Sequence, residues 1–146
     1  GAASDARAAL PGLGSPLPER ARERLLDTLR RVHCGIPEHA PVDRMIAVQR
    51  LRDAAMAGAM LDADRGDGAV LIAGHGHIRH DYGVPLYLER AAPERSVLSI
   101  AFFGTVGSET VAAQREAAGG ALPFDYVWFT DGGERAPDCA DEAAHD

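Results

Sequence analysis

Residues 69–85 have the sequence AVLIAGHGHIRHDYGVP, in which a short apolar run passes directly into a loop rich in reactive side chains. The run at 69–73 is aliphatic and stops at Gly74, a pattern typical of a buried strand. In open α/β sheets, ligands bind beyond the carboxyl ends of the strands. The loop at 74–85, here called the histidine loop, is therefore the first candidate for a functional site.

The loop offers several ways to bind a ligand. His75, His77 and His80 do not have the spacing of a specific zinc motif, so one or two of them, with help from elsewhere, form the realistic metal-ligand set. Haem is a second candidate ligand, because haem iron accepts His or Tyr and arginines can pair with propionates. The alternative is a polar loop whose histidines bond only to backbone and water.

Composition limits the function classes. With 46% hydrophobic and 25% charged residues among 146, the chain fits a soluble globular protein. A formal net charge of −7 argues against nucleic acid as the main partner. All fifteen basic residues are arginine, which together with abundant Ala and Gly indicates a GC-rich, bacterial coding sequence. Two cysteines, Cys34 and Cys139, make no disulfide framework, and Cys34 is expected to be a buried thiol.

Hydrophobic periodicity divides the chain into a tail or connector at 1–17, a helical lobe at 18–62, an α/β portion at 63–131 and an acidic tail at 132–146. The lobe contains two helical patterns, 18–32 and 43–61. The α/β portion alternates strand, helix, strand, helix and strand at 69–73, 85–91, 96–103, 108–118 and 124–130. This order predicts an α/β fold: a parallel sheet of about three or more strands with flanking helices and an N-terminal helical lobe.

One arginine stands out in the helix at 43–61. Arg52 projects from the middle of an apolar stripe formed by Met45, Val48, Ala55, Met56 and Ala59. Gln49 and Asp53 lie beside it at the i, i+4 spacing at which side chains meet. Because an unpaired buried charge is costly, we expect Arg52 to be largely buried with these partners in reach. It either ties the helix to the sheet or points into the same cavity as the histidine loop.

Four segments, taken together, resemble the haem-binding, iron-regulated lipoproteins of the ChaN type. They are His-Cys-Gly at 33–35, QRLRDAAMA at 49–57, the loop at 74–85 and DYVWFT at 125–130. The resemblance covers roughly residues 18–131. It implies a parallel α/β domain with a helical subdomain, a cell-envelope location, and haem held between the protomers of a dimer. Attachment to a membrane would require a lipid anchor that this sequence does not contain.

The family resemblance and the position of Arg52 on its predicted helix together suggest which residues form the haem site. We expect His75, His77, Arg79, Tyr82 and Arg52 to surround bound haem, with His77 as a metal ligand. No residue is assigned a catalytic role.

A wider superfamily provides the alternative. TraB- and Tiki-like proteins have a Gly-x-Gly-His segment, tied to metal-dependent hydrolysis, that resembles Gly74, Gly76 and His77. A hydrolase using a divalent metal ion is therefore the competing hypothesis, and enzyme activity stays open.

The resemblance also implies an incomplete domain. Family members begin with a strand and a Gly-Glu-x-His-like motif, which this sequence lacks, so the chain looks like the second half of the family domain. We expect a homodimer, or association with the missing N-terminal half, because an open apolar sheet edge invites pairing. A non-catalytic fragment that acts with a partner chain is the third hypothesis.

Overall fold

The computed structural model describes residues 10–33, 41–105, 112 and 122–131. These residues form three helices, α1 (Glu19–Val32), α2 (Val42–Ala63) and α3 (Val84–Ala91), and two strands, β1 (Ile100–Thr105) and β2 (Tyr126–Asp131). The three helices confirm the predicted ones to within two residues at each end. None of the described helices is long and apolar enough to cross a membrane. The predicted helix at 108–118, apart from residue 112, and both cysteines lie outside the described residues.

Helix α1 packs through one stripe. Ala21, Leu25 and Leu29 recur every four residues and are all buried, so they share one face. They form a first core cluster with Ile46 of α2 and Tyr82 of the histidine loop. This cluster connects α1 and α2 to the histidine loop.

Helix α2 buries a different face from the predicted one. Its buried residues are Ile46, Asp53, Ala54 and Ala57. The prediction that Arg52 is buried is wrong, since Arg52 is exposed. The reason is that the apolar residues of α2 are distributed on all sides of the helix, so their spacing does not define one buried face. The small side chains of Ala54 and Ala57 permit the close approach of α3, and this contact selects the buried side. These alanines form the second core cluster with Val84, Tyr87 and Leu88.

The two strands pair in parallel, with Ile100 opposite Tyr126 and Thr105 opposite Asp131. The chain is therefore a mixed α/β protein with a parallel sheet, of two strands in the described part. The predicted strand at 69–73 is not formed there. Val70 and Ile72 are 91% and 95% exposed, although the segment was expected to be buried. A ladder requires a neighbouring strand about 4.8 Å away, and no described segment supplies one.

Candidate functional site

Backbone hydrogen bonds fold the histidine loop back on itself. The His77 N–H donates to the Gly74 carbonyl (2.8 Å), and the Val84 N–H donates to the His77 carbonyl (2.7 Å). Gly83 lies inside this turn, and a Cβ there would overlap the His77 carbonyl and lie 2.8 Å from the Arg79 carbonyl oxygen. The loop therefore forms a close-packed turn directly before α3, and this turn requires glycine at position 83.

His77 is held by side chains of α2. Its Nδ1 lies 2.6 Å from Oδ1 of Asp53 and 2.9 Å from the amide nitrogen of Gln49. Asp53 is fully buried, whereas a quarter of the His77 side chain is exposed. The amide NH2 of Gln49 can only donate, so Nδ1 cannot bond to it while Nδ1 donates its own proton to the closer Asp53 carboxylate. A neutral imidazole with its proton on Nδ1 carries its lone pair on Nε2. That nitrogen has no hydrogen-bond partner among the described residues, so it can bind a metal or accept a proton.

Asp53 is an uncommon residue for the interior of a helical face. Burial raises its pKa to about 6, although the hydrogen bond and charge of His77, and the charge of Arg52, act in the opposite direction. Its second oxygen, Oδ2, is buried and has no hydrogen-bond partner in the described part of the chain. Leaving such a group unpaired costs stability. Strongly shifted carboxyls beside an accessible histidine are typical of functional sites.

His75 fixes the loop to the sheet. Its Nε2–H donates to the Phe102 carbonyl of β1 (2.5 Å), and its ring stacks on Phe103 with centroids 4.4 Å apart. A carbonyl can only accept, so the proton lies on Nε2 and the lone pair on Nδ1. The His75 side chain is otherwise exposed.

Arg79 and Tyr82 belong to the histidine loop, and their contacts connect it to α1. Arg79 donates through Nε and Nη2 to the two carboxylate oxygens of Asp81, at 2.9 and 2.7 Å, and its guanidinium lies 4.6 Å from the centre of the Tyr82 ring. Tyr82 is 1% exposed, and its hydroxyl lies 3.0 Å from that of Thr28 in α1. Arg24 of α1 also donates to Asp81 (3.0 Å). Both predicted site residues therefore belong to a network that joins the loop to α1.

One comparison with known proteins finds a family match that includes the whole histidine loop. Residues 2–88 match the family model described as haem-binding uptake, Tiki superfamily, ChaN. The chain belongs to this family. The resemblance to this family found in the sequence is thereby confirmed, although the match ends at residue 88 and leaves out the segment at 125–130. No curated protein and no solved structure matches the chain.

The matched part of this ChaN-family chain includes His75, His77 and Asp53, whereas both strands lie after residue 88. Of the predicted site residues, His75 and Arg52 are exposed, His77 is a quarter exposed, and Arg79 and Tyr82 are largely or fully buried. Asp53 is the residue that sequence reasoning undervalued. Its i, i+4 spacing with Gln49 is visible in the sequence and places the pair beside Arg52, whereas in the structure both side chains lie against His77.

His80 has a structural place in this family member. Its Nδ1 lies 3.0 Å from Glu89 of α3 and its Nε2 lies 2.7 Å from Asp125, which also accepts from the Ser99 N–H. Carboxylates accept and do not donate when ionised, so both ring nitrogens carry protons. Burial alone would lower the pKa of His80, but the two carboxylates outweigh it and raise the pKa. With both nitrogens occupied, His80 connects α3 to the strands.

Proposed function

We propose that this protein binds haem at the histidine loop, where His77 would hold the iron through Nε2. The observation that carries the proposal is the 2.6 Å contact between His77 Nδ1 and the buried Asp53 carboxylate. Histidines that ligate metals commonly donate their other ring nitrogen to a carboxylate, which fixes the ring and makes the ligating nitrogen more basic. His77 fits this arrangement, because a quarter of its side chain is exposed and its Nε2 has no hydrogen-bond partner among the described residues, and the family is one of haem-binding uptake proteins.

Haem suits the site better than a bare divalent ion does. In the described residues, no group of three His, Cys, Asp or Glu side chains could hold a metal ion. Zinc sites ordinarily need three or four protein ligands, whereas the porphyrin supplies four nitrogens and leaves only the axial positions to the protein. The metal-dependent hydrolase suggested by the Tiki superfamily therefore lacks the further ligands that it would need from the described residues.

An aromatic surface next to His75 supports the same ligand. Phe103, on which His75 stacks, has its ring centroid 6.0 Å from that of Phe124 and 6.3 Å from that of Phe129, and all three side chains are partly exposed. A porphyrin is flat and apolar, so its face can pack on such rings. Arg52, exposed one residue before Asp53, is the proposed partner of a propionate, whereas Arg79 and Tyr82 support the loop from beneath.

The family's uptake role also leads us to propose a location and an assembly. We propose that the protein acts in the bacterial cell envelope, as a lipoprotein or periplasmic protein, in the acquisition of iron from haem. The exposed apolar side of the sheet favours a homodimer that encloses haem from both sides, because apolar patches of this kind are unusual on monomers.

Haemin titration followed in the Soret band tests the proposal. Wild-type protein is expected to give a saturable Soret shift at one haem per site. His77→Ala is expected to raise the Kd at least tenfold, because the iron loses its ligand. Arg20→Ala, on the exposed side of α1 and outside the four segments that carry the family resemblance, is the control and should leave the Kd within twofold. Absence of a Soret shift in the wild type, or equal effects of the two substitutions, would refute the proposal.

A further inference from the structure

An apolar groove of about 440 Å³ separates the segment at 69–72 from the start of the sheet. Its opposite side consists of residues 96–100 and Phe102, and α2 and α3 supply its floor through Met60, Val84 and Leu88. No charged side chain lines it among the described residues. The groove lies beside the histidine loop but does not depend on haem binding.

The backbone on both sides of this groove lacks partners. Within the part of the chain that is described, no backbone hydrogen bond reaches residues 69–73 or 96–98. The Phe102 carbonyl bonds to His75 and therefore points away from β2. Since backbone directions alternate along a strand, Ile100 and Gly104 present their polar groups at the same free edge of β1. Apart from the Phe102 carbonyl, which accepts from His75, two rows of backbone donors and acceptors without backbone partners in the described part of the chain therefore face the groove or its mouth.

The spacing of the two sides fits one additional strand. At one end, residues 68–69 and 96–97 line a shared cavity, and at the other end the His75 side chain reaches Phe102, so the two segments run in the same direction. An entire imidazole and a hydrogen bond fill the distance from the backbone at 75 to β1. The backbone at 75 therefore lies farther from β1 than the ~4.8 Å between directly paired strands, which leaves space for a strand between the two segments.

Side-chain alternation points to the same occupant. Val70, Ile72 and Leu98 face outward, whereas Leu71 and Val97 pack on the second core cluster. Both segments thus have the pleat of strands in a sheet with two apolar faces. A helix in the groove would bond to itself and leave both edges unpaired, so a strand is the occupant that satisfies the backbone.

We propose that the groove receives one extended β-strand from a different protein. This strand is apolar on both faces, and it pairs with residues 69–72 along one edge and with β1 along the other. The insertion would complete a parallel-type sheet of four strands, 69–73, the inserted strand, β1 and β2.

A designed peptide tests this proposal. The probe is an acetylated and amidated octapeptide with four central valines between pairs of lysines, and its control carries N-methyl groups on two of the valines. Anisotropy gives the Kd, and hydrogen exchange gives the protection of the protein's amides. We expect the valine peptide to bind, to protect amides in 69–73 and at Ile100 and Phe102, and to bind at least tenfold more tightly than its N-methylated control.

Two protein variants locate the binding. Leu98→Asp lies at the groove and is expected to weaken peptide binding at least tenfold, whereas Val32→Asp, at the end of α1, should leave it within twofold; the two side chains are 63% and 65% exposed. Circular dichroism confirms that both variants fold. Failure of the peptide to bind, equal affinity for the N-methylated control, or equal effects of the variants would overturn the proposal. A dimer in light scattering that already protects 69–73 without peptide would overturn it in favour of a second copy.

Discussion

Replacing Asp53 with Asn tests the physical state of the buried carboxylate. Asn keeps the size of Asp53 and can still accept from His77 Nδ1, but it cannot ionise. Burial raises the pKa of Asp53 to about 6 in the folded protein, against an ordinary value of 3.8. The folded state therefore binds more protons than the unfolded state between pH 4 and pH 6, so wild-type stability falls as pH rises through this window.

The expected effect follows from the two pKa values. Each unit is equivalent to 1.36 kcal/mol, so ionising Asp53 costs the folded protein about 3 kcal/mol. The Asn variant lacks this cost at every pH. Any cost from its buried amide is independent of pH over this range. The stability of the variant relative to wild type should therefore increase by about 3 kcal/mol between pH 3.5 and pH 7.

Urea unfolding of both proteins, at half-unit steps from pH 3.5 to pH 7, measures this difference in the free energy of unfolding. A difference that stays constant across the series would refute the reasoning, because it would mean that Asp53 titrates alike in the folded and unfolded chain. A difference that decreases with pH would show that the carboxylate is stabilised by its surroundings.

Three further substitutions test the surrounding structure. Gly83→Ala forces a methyl group into the loop backbone and should destabilise by at least ~1–3 kcal/mol, whereas Gly76→Ala, which meets nothing within 4 Å, should cost less than ~1 kcal/mol in the same melts. His80 has a raised pKa, so it contributes stability that is present below pH 6.5 and is lost as pH rises through its folded pKa; His80→Gln should remove that dependence in denaturation from pH 6 to pH 9, and an unchanged profile would show that the ring carries no extra proton. Arg52→Ala should change the free energy of unfolding by no more than ~0.5 kcal/mol, because the side chain is exposed. A large loss of stability would instead support the prediction that Arg52 is buried.

The helices could be predicted because their signals are local. Leu25 and Leu29 define the face of α1, and Pro85 marks the start of α3, so neighbouring residues suffice. For α2, the sequence predicts the bounds of the helix but not its buried face, because its apolar residues are distributed on all sides. What selects its inward side is tertiary, namely the fit of Ala54 and Ala57 against Tyr87.

The site could be predicted only in part. A histidine-rich loop after an apolar run gave the location of His75 and His77, and this did not require knowledge of packing. The pairing of His77 with Asp53 joins residues 24 positions apart and depends on the rotation of α2, which the sequence did not determine. Arg79 and Tyr82 were expected at the ligand because of their chemistry, but the nearness of Asp81 and Thr28 directs them inward.

Imidazole rescue of His77→Gly is the most direct test of the central claim, that Asp53 orients His77 to bind haem iron through Nε2. The electron paramagnetic resonance and Soret spectra of the ferric haem complex are recorded for the wild type and for the variant with and without imidazole. We expect the variant to lose the wild-type ligand signature and to regain it when imidazole at millimolar concentration occupies the vacated position. A His77→Gly complex whose spectra match those of the wild type without imidazole would contradict the account.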